Sequence, residues 1–218
     1  MRIVVCIPIH RQAEAMFVSS AMNMASRFLM SDIKLGGRPA RAELWTCVYT
    51  SADLAANRNG LAEKALEWGA THILWADADH LFPDYTLVRL LSLNLPVVGC
   101  NYPTRLPPFQ PTALGLDGRA VATTEDLARA GKVEAVAALG LGLCLMRADL
   151  IAKLPRPWFA FADGMSEDRR FFRLLAEAGV PVHVDHQLSW EVGHIGAHTL
   201  TNADVEPAAA STRQDELR

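Results

Sequence analysis

Short apolar runs rich in β-branched residues alternate with stretches of helical length, and this alternation constrains the fold more than any other feature. Residues 3–8 ("IVVCIP"), "ELWTCVYT", "THILWA" and "PVVGCNYP" read as strands buried by their own composition. Between them, residues 14–29 repeat Phe17, Ala21, Met24 and Phe28 at helical spacing. "SADLAANRNGLAEKALEWG" predicts a helix with Gly69 at its C-cap, and "FPDYTLVRLLSLN" a helix opening near Pro83. Strand–helix repetition of this kind implies an α/β protein whose central sheet is mostly parallel, with right-handed crossovers. The rhythm then changes. Residues 33–40 read as a loop around "GGRP", and residues 104–130, rich in Pro and Gly, as a small mixed-sheet insertion with short strands near 112–116 and 121–123. "KVEAVAALGLGLCLMR" predicts one buried strand, "SEDRRFFRLLAEAG" a helix with Ser166 at its N-cap, and "VPVHVD" a further strand. Residues 1–200 are expected to form one domain and residues 201–218 a flexible tail.

Composition narrows the class of protein. Among 218 residues, 50% are apolar and 21% charged, which excludes a disordered or fibrous chain. The formal net charge of -3 argues against an electrostatic nucleic-acid groove, and none is expected. No apolar run reaches the roughly 18 residues of a membrane span, and the first strand carries no signal-peptide cleavage pattern. A cytoplasmic location follows as the expectation, with peripheral association at the inner membrane surface left open. The four cysteines, Cys6, Cys47, Cys100 and Cys144, lie in apolar runs without a CxxC pair, so buried free thiols are expected.

The residues that carry chemistry are acids at strand and helix ends. Asp77-Ala78-Asp79 follows "HILWA" directly. In open α/β sheets the carboxyl end of a strand is where ligands bind. In extended backbone the i, i+2 spacing places both carboxylates on one side, where a hard divalent metal would relieve their repulsion. His80 reads first as a turn histidine and second as a further ligand. Glu167-Asp168 opens a helix after "PWFAFADGMS", a run suited to a pocket wall, and a carboxylate there can take a proton from a hydroxyl. Trp158, Phe159 and Phe161 are either stacking partners for a sugar or core. His194 in "WEVGHIGAH" sits in a Gly-flanked loop where an imidazole can reach a metal, with His198 a weaker candidate. Arg58 offers a donor fork that suits a diphosphate.

In order, Pro8, "ANRN", "ILWADADHLFP", "VVGCNYPTR", "ALGLGLCLMR", "SEDRRFFRLLAEAGVPVHVD" and "GHIG" resemble the glycosyltransferases of the nucleotide-sugar-binding GT-A type, in particular the broad family 2-like group of bacteria and their viruses. The resemblance implies a single Rossmann-like GT-A domain that binds a nucleoside-diphosphate sugar, with a UDP-sugar favoured. It implies that Asp77 and Ala78 lie near the nucleotide ribose, and that Asp77, Asp79 and His194 hold Mn²⁺ or Mg²⁺. Pro8, Ile9 and His10 would line the nucleotide, and Arg58 its phosphates. Of the acidic pair Glu167 and Asp168, the second would be the base of an inverting transfer to a hydroxyl acceptor, whether a saccharide, a lipid-linked saccharide or another hydroxyl compound. A retaining outcome stays open. "PIHR" departs from the family's usual residues after the first-strand proline, which leaves the base and ribose contacts unassigned. Two other readings stand beside this one. A sugar-phosphate nucleotidyltransferase would need a Gly-rich basic loop after the first strand, and "PIHRQAEAMF" has no glycine. A non-catalytic nucleotide- or carbohydrate-binding relative would need none of the acids.

Overall fold

The structure is a computed structural model, and it describes residues 1–35, 38–39, 41–162, 164–196 and 199–205. In chain order the elements are β1 (Arg2–Ile9), α1 (Ala15–Leu29), β2 (Lys34–Leu35), β3 (Arg38–Pro39), β4 (Glu43–Thr50), α2 (Leu54–Glu67), β5 (His72–Ala76), β6 (His80–Leu81), α3 (Thr86–Ser92) and β7 (Val97–Gly99). The second half comprises α4 (Glu125–Arg129), β8 (Val133–Val136), β9 (Leu143–Arg147), α5 (Ala148–Lys153), α6 (Glu167–Glu177), β10 (Val182–Asp185), α7 (His186–Glu191), β11 (Gly193–Ile195) and β12 (Thr199–Leu200).

Seven strands form the central sheet in the order β4-β1-β5-β9-β7-β10-β8. β1 is parallel to both β4 and β5, with Cys6 level with Cys47 on one side and Trp75 on the other. β9 is antiparallel to both of its neighbours, β5 and β7. β10 runs parallel to β7, and β8 antiparallel to β10. Five strands therefore point one way, and β8 and β9 point the other. The result is a mixed, open α/β sheet.

The strands alternate their side chains between two helical layers, as the pleat requires. Ile3, Val5, Ile7, Leu74 and Leu145 meet Phe17, Met24 and Phe28 of α1 and Leu87 and Leu90 of α3. Val4, Cys6, Ile73, Trp75 and Met146 meet Leu61 and Ala65 of α2 and Phe171 and Phe172 of α6. α2 begins where Asp53 accepts the amides of Ala55 and Ala56, and ends before Gly69, whose φ of +77° suits a residue without a Cβ.

Several expectations change. "KVEAVAALGLGLCLMR" is two strands: β8 sits at the sheet edge, and β9 lies in the buried centre. The separating residues include Gly140 and Gly142, which pass so close to Tyr102 that a Cβ would collide with its ring or hydroxyl. Residues 112–123 make isolated bridges at Leu114 rather than a small mixed sheet, and α4 follows them. The loop reading of residues 33–40 gives way to the β2–β3 pair. A three-stranded antiparallel sheet, β12-β11-β6, lies beside the main one instead. Residues 201–205, read as the start of a tail, are tied down: the buried Asn202 amide donates to the carbonyls of Asn101 and Ser189. The rest of that tail lies outside the described residues. Among the described residues, no helix is long and apolar enough to cross a membrane.

All four cysteines are buried and free. Burial pushes their thiols up, Cys144 to about 12. With folded values above the ordinary 9.0, the thiol form holds at pH 8. We expect a thiol reagent at pH 8 to label none of the four rapidly in the native protein and all four in denaturant. Fast native labelling of any one would contradict the packing.

Candidate functional site

The carboxyl ends of β1, β4 and β5 border a cavity of about 450 Å³ lined by Pro8, His10, Ser51, Asn57, Asp79 and Arg105, among others. The chain leaves β5 at Ala76 and turns sharply. The Asp77 amide donates to the Gly142 carbonyl at 2.9 Å, and the His80 amide to the Asp77 carbonyl at 3.2 Å. This turn replaces the expected extended backbone, so the two aspartates part company. Asp77 faces Arg58 and Asp79 faces two histidines.

Arg58 is buried, with its side chain 2% exposed. Its Nη2 donates to Asp77 Oδ1 at 3.0 Å and Oδ2 at 3.1 Å, and its Nε to Glu167 Oε1 at 3.2 Å. The guanidinium also lies over the Trp75 ring, 5.6 Å from its centroid. Burial disfavours the charged guanidinium, but Asp77 and Glu167 outweigh it and raise the arginine further above its ordinary value. Arg58 lines neither cavity described here; it braces α2, the acid turn and the start of α6. Burial pushes Glu167 up, against the opposing pull of Arg58.

Asp79 is the centre of a second group. Its Oδ1 accepts from His80 Nδ1 at 3.1 Å, and its Oδ2 lies 3.0 Å from Arg105 Nη2 and 3.6 Å from His194 Nε2. Burial alone would raise the Asp79 carboxyl; the His194 and His80 imidazoles outweigh it and hold it well below the ordinary 3.8. His194 lies on strand β11 rather than in a loop, because Gly193–Ile195 pairs with both β6 and β12. In that register His194 is directly opposite His80, and their rings stack with centroids 4.6 Å apart.

These residues suit a cation. The Pro103 carbonyl can only accept, so His194 Nδ1, 2.8 Å away, carries the proton. With Nδ1 committed there, Nε2 is the nitrogen that faces Asp79 Oδ2: protonated it donates to the carboxylate, and bare it offers a lone pair to a cation. In the bare form two acceptors face one another; the Arg105 guanidinium, 3.0 Å from the same oxygen, supplies a positive charge there, and the donor set also suits a metal ion. Ligand atoms of Asp79, His80 and His194 all lie within 4.8 Å of one another. Asp77 is outside this group.

The acidic pair diverges because consecutive helical residues point about 100° apart. Glu167 turns inward to Arg58. Asp168 lines a separate cavity of about 410 Å³ with Ser166, Arg169, Gln110 and Thr112, and accepts from the Ser166 hydroxyl and, at 2.7 Å, from the Arg169 amide. Thr104 and Arg105, successive residues, line one cavity each. Ile9 does not line the first cavity; its carbonyl accepts from the Asn57 side-chain amide. Ala78 lines it, and its carbonyl accepts from the Glu14 amide. Of the aromatic run, Trp158 and Phe159 are core, and Phe161 is 62% exposed. His198 lies outside the described residues. Sequence reasoning passed over Arg105 and Tyr102. Both lie in the fragment "VVGCNYPTR", but nothing in it singles them out, and they become neighbours of Asp79 and the histidines only after folding.

No family model matches the chain, and no curated protein matches it. Among solved structures, A197 from STIV is similar at 14% identity, covering 99% of this chain and 100% of that one, with a TM-score of 0.66. GalNAc-T7, solved with UDP, GalNAc and Mn²⁺, is similar at 12% identity with a TM-score of 0.54. That match covers 90% of this chain and 44% of the other, so this chain spans less than half of that protein. At these identities the likeness is one of fold, remote and GT-A-like, without a family assignment.

Removing Arg58 would leave Glu167, and in part Asp77, as uncompensated charges. Arg58→Ala is expected to lower stability by about 3–5 kcal/mol in urea unfolding. A loss below about 1 kcal/mol, the range of exposed ion pairs, would show that the brace carries little.

Proposed function

We propose that the protein transfers a glycosyl group from a nucleoside-diphosphate sugar to a hydroxyl acceptor, with a divalent metal held by Asp79 and His194. The observation that carries this reading is the pairing of His194 Nε2 with an Asp79 oxygen at 3.6 Å, at the strand end that borders the larger cavity. The fold shared with GalNAc-T7, solved with UDP, GalNAc and Mn²⁺, supports the donor class and favours a UDP-sugar and Mn²⁺ over Mg²⁺.

Pro8, His10 and Ala78 border the space for the nucleotide, while Asn57 ties the ends of β1 and β4 through the Ile9 and Ser51 carbonyls. Asp77 holds the turn against Arg58, and Asp79 and His194 supply oxygen and nitrogen donors. The metal, when bound, neutralises charge on the departing diphosphate. Asp168 takes the acceptor's proton as the acceptor oxygen bonds to the anomeric carbon and the bond to the diphosphate breaks. One such displacement inverts the anomeric centre. Hydrogen bonds from Ser166 and the Arg169 amide orient the Asp168 carboxylate for that role.

Calorimetric titration with UDP, GDP, CDP and ADP, each with Mn²⁺ and again with a chelator, tests the reading. We expect one nucleotide to bind in a metal-dependent manner, and Asp79→Ala to abolish that dependence. Asp168→Ala should keep donor binding and lose transfer by about 10²–10⁴-fold. A folded sample that binds none of the four would leave a non-catalytic protein as the better reading. Normal transfer by Asp168→Ala would assign the base elsewhere.

A further inference from the structure

Beside Asp79 and His194 lies a second layer of buried groups to which sequence motifs assign no role. His80 is 1% exposed, and its Nδ1 is 3.1 Å from Asp79 Oδ1. An ionised carboxylate only accepts, so Nδ1 carries the proton and donates. His80 Nε2 is then a bare acceptor, buried and without a hydrogen-bond partner. It lies against Gly142, where an added Cβ would stand 2.6 Å from it. The opposite tautomer would bury an unpaired N–H and turn a lone pair towards the carboxylate, which is the costlier arrangement.

The ring is also held on both sides. It stacks on His194 with an interplanar angle of 18°, and meets Tyr102 edge-on with centroids 4.3 Å apart. The Tyr102 hydroxyl accepts from the Gly142 amide at 2.7 Å, and the next residue, Pro103, accepts from His194 Nδ1. One two-residue segment after β7 therefore fixes both imidazoles. The glycine at position 142 leaves the space that the His80 ring and the Tyr102 hydroxyl occupy.

We propose that His80, backed by Tyr102, is a positioning residue that donates to one Asp79 oxygen and packs His194, aiming the other oxygen and His194 Nε2 at a shared divalent cation without being a ligand itself. This rests on the metal-binding reading of Asp79 and His194. Outer partners of this kind fix ligand orientation and basicity, and their loss weakens metal binding by about 10–100-fold.

The test is Mn²⁺ binding to the full chain, with and without UDP, followed by the electron paramagnetic resonance of free Mn²⁺, with thermal unfolding of each variant alongside. His80→Asn keeps an N–H close to the position of Nδ1–H; His80→Phe keeps the ring and removes the donor; Gly142→Ala crowds the ring from behind. We expect His80→Asn to bind Mn²⁺ within about threefold of the parent, and His80→Phe and Gly142→Ala to bind about 10–100-fold more weakly while still unfolding cooperatively. Nitrogen couplings from bound Mn²⁺ should report one imidazole in the parent and in His80→Asn alike. Should His80→Phe not fold, His80→Asn, Gly142→Ala and the nitrogen couplings still decide the matter. Parental affinity in His80→Phe or Gly142→Ala would reduce His80 to core packing. Two coordinated imidazoles in the parent, falling to one in His80→Asn, would make it a ligand. Either result overturns the positioning role and leaves the metal reading intact. Absence of Mn²⁺ binding by the parent, with and without UDP, would instead overturn the metal reading and this inference with it.

Discussion

A buried guanidinium holds the site region together. Arg58 joins α2, the turn after β5 and the first turn of α6, which lie far apart in sequence. A cation removed from water in this way requires carboxylates that remain charged beside it, and Asp77 and Glu167 supply them. The pairing has consequences beyond its own energy. It commits Asp77 to the turn and sends Glu167 inward, so the next residue on the helix, Asp168, faces the second cavity. One buried charge thus draws Asp77 and Glu167 to itself and leaves Asp79 and Asp168 to other partners, although Asp77 still lines the larger cavity.

The second constraint is the entry of β9 between β5 and β7. Because β9 runs against its neighbours, it starts where they end, and Gly142 meets the acid turn there through the Asp77 amide. The glycines at 140 and 142 admit the Tyr102 ring and hydroxyl. A parallel strand at this position would bring its other end to the turn, and that contact would be absent. The small antiparallel pairing of β6 with β11 then sets His80 opposite His194. The stacked imidazoles follow from strand register, as cross-strand neighbours on a sheet do.

Much of this fold was legible in the chain. The bounds of β4, Glu43–Thr50, coincide with the run "ELWTCVYT", and the helix ending at Gly69 follows from its caps and left-handed glycine. The run from Val133 to Arg147 was not legible as two strands. A continuous apolar stretch looks the same whether it stays in place or crosses from a sheet edge to its centre, since periodicity records burial and not neighbours. In the site, Asp79 and His194 stood out as residue types at suggestive positions. His80 was legible only as a turn histidine or a further ligand, and Tyr102 and Arg105 not at all, because a tyrosine after a strand and an arginine in a proline-rich loop carry no spacing that distinguishes them.

The sequence by itself determined the α/β class, the placing of most elements, the buried thiols and the presence of acids at one strand end, because local propensity and hydrophobic period act over a few residues. Tertiary structure alone decided the sheet order, the reversed central strand, the division of labour between Asp77 and Asp79, and the meeting of Asp79 with His194. Those depend on pairings between residues tens to more than a hundred positions apart. Such pairings are selected by how the two faces of the sheet bury their side chains and by where a buried charge finds its partners, and no local pattern encodes either.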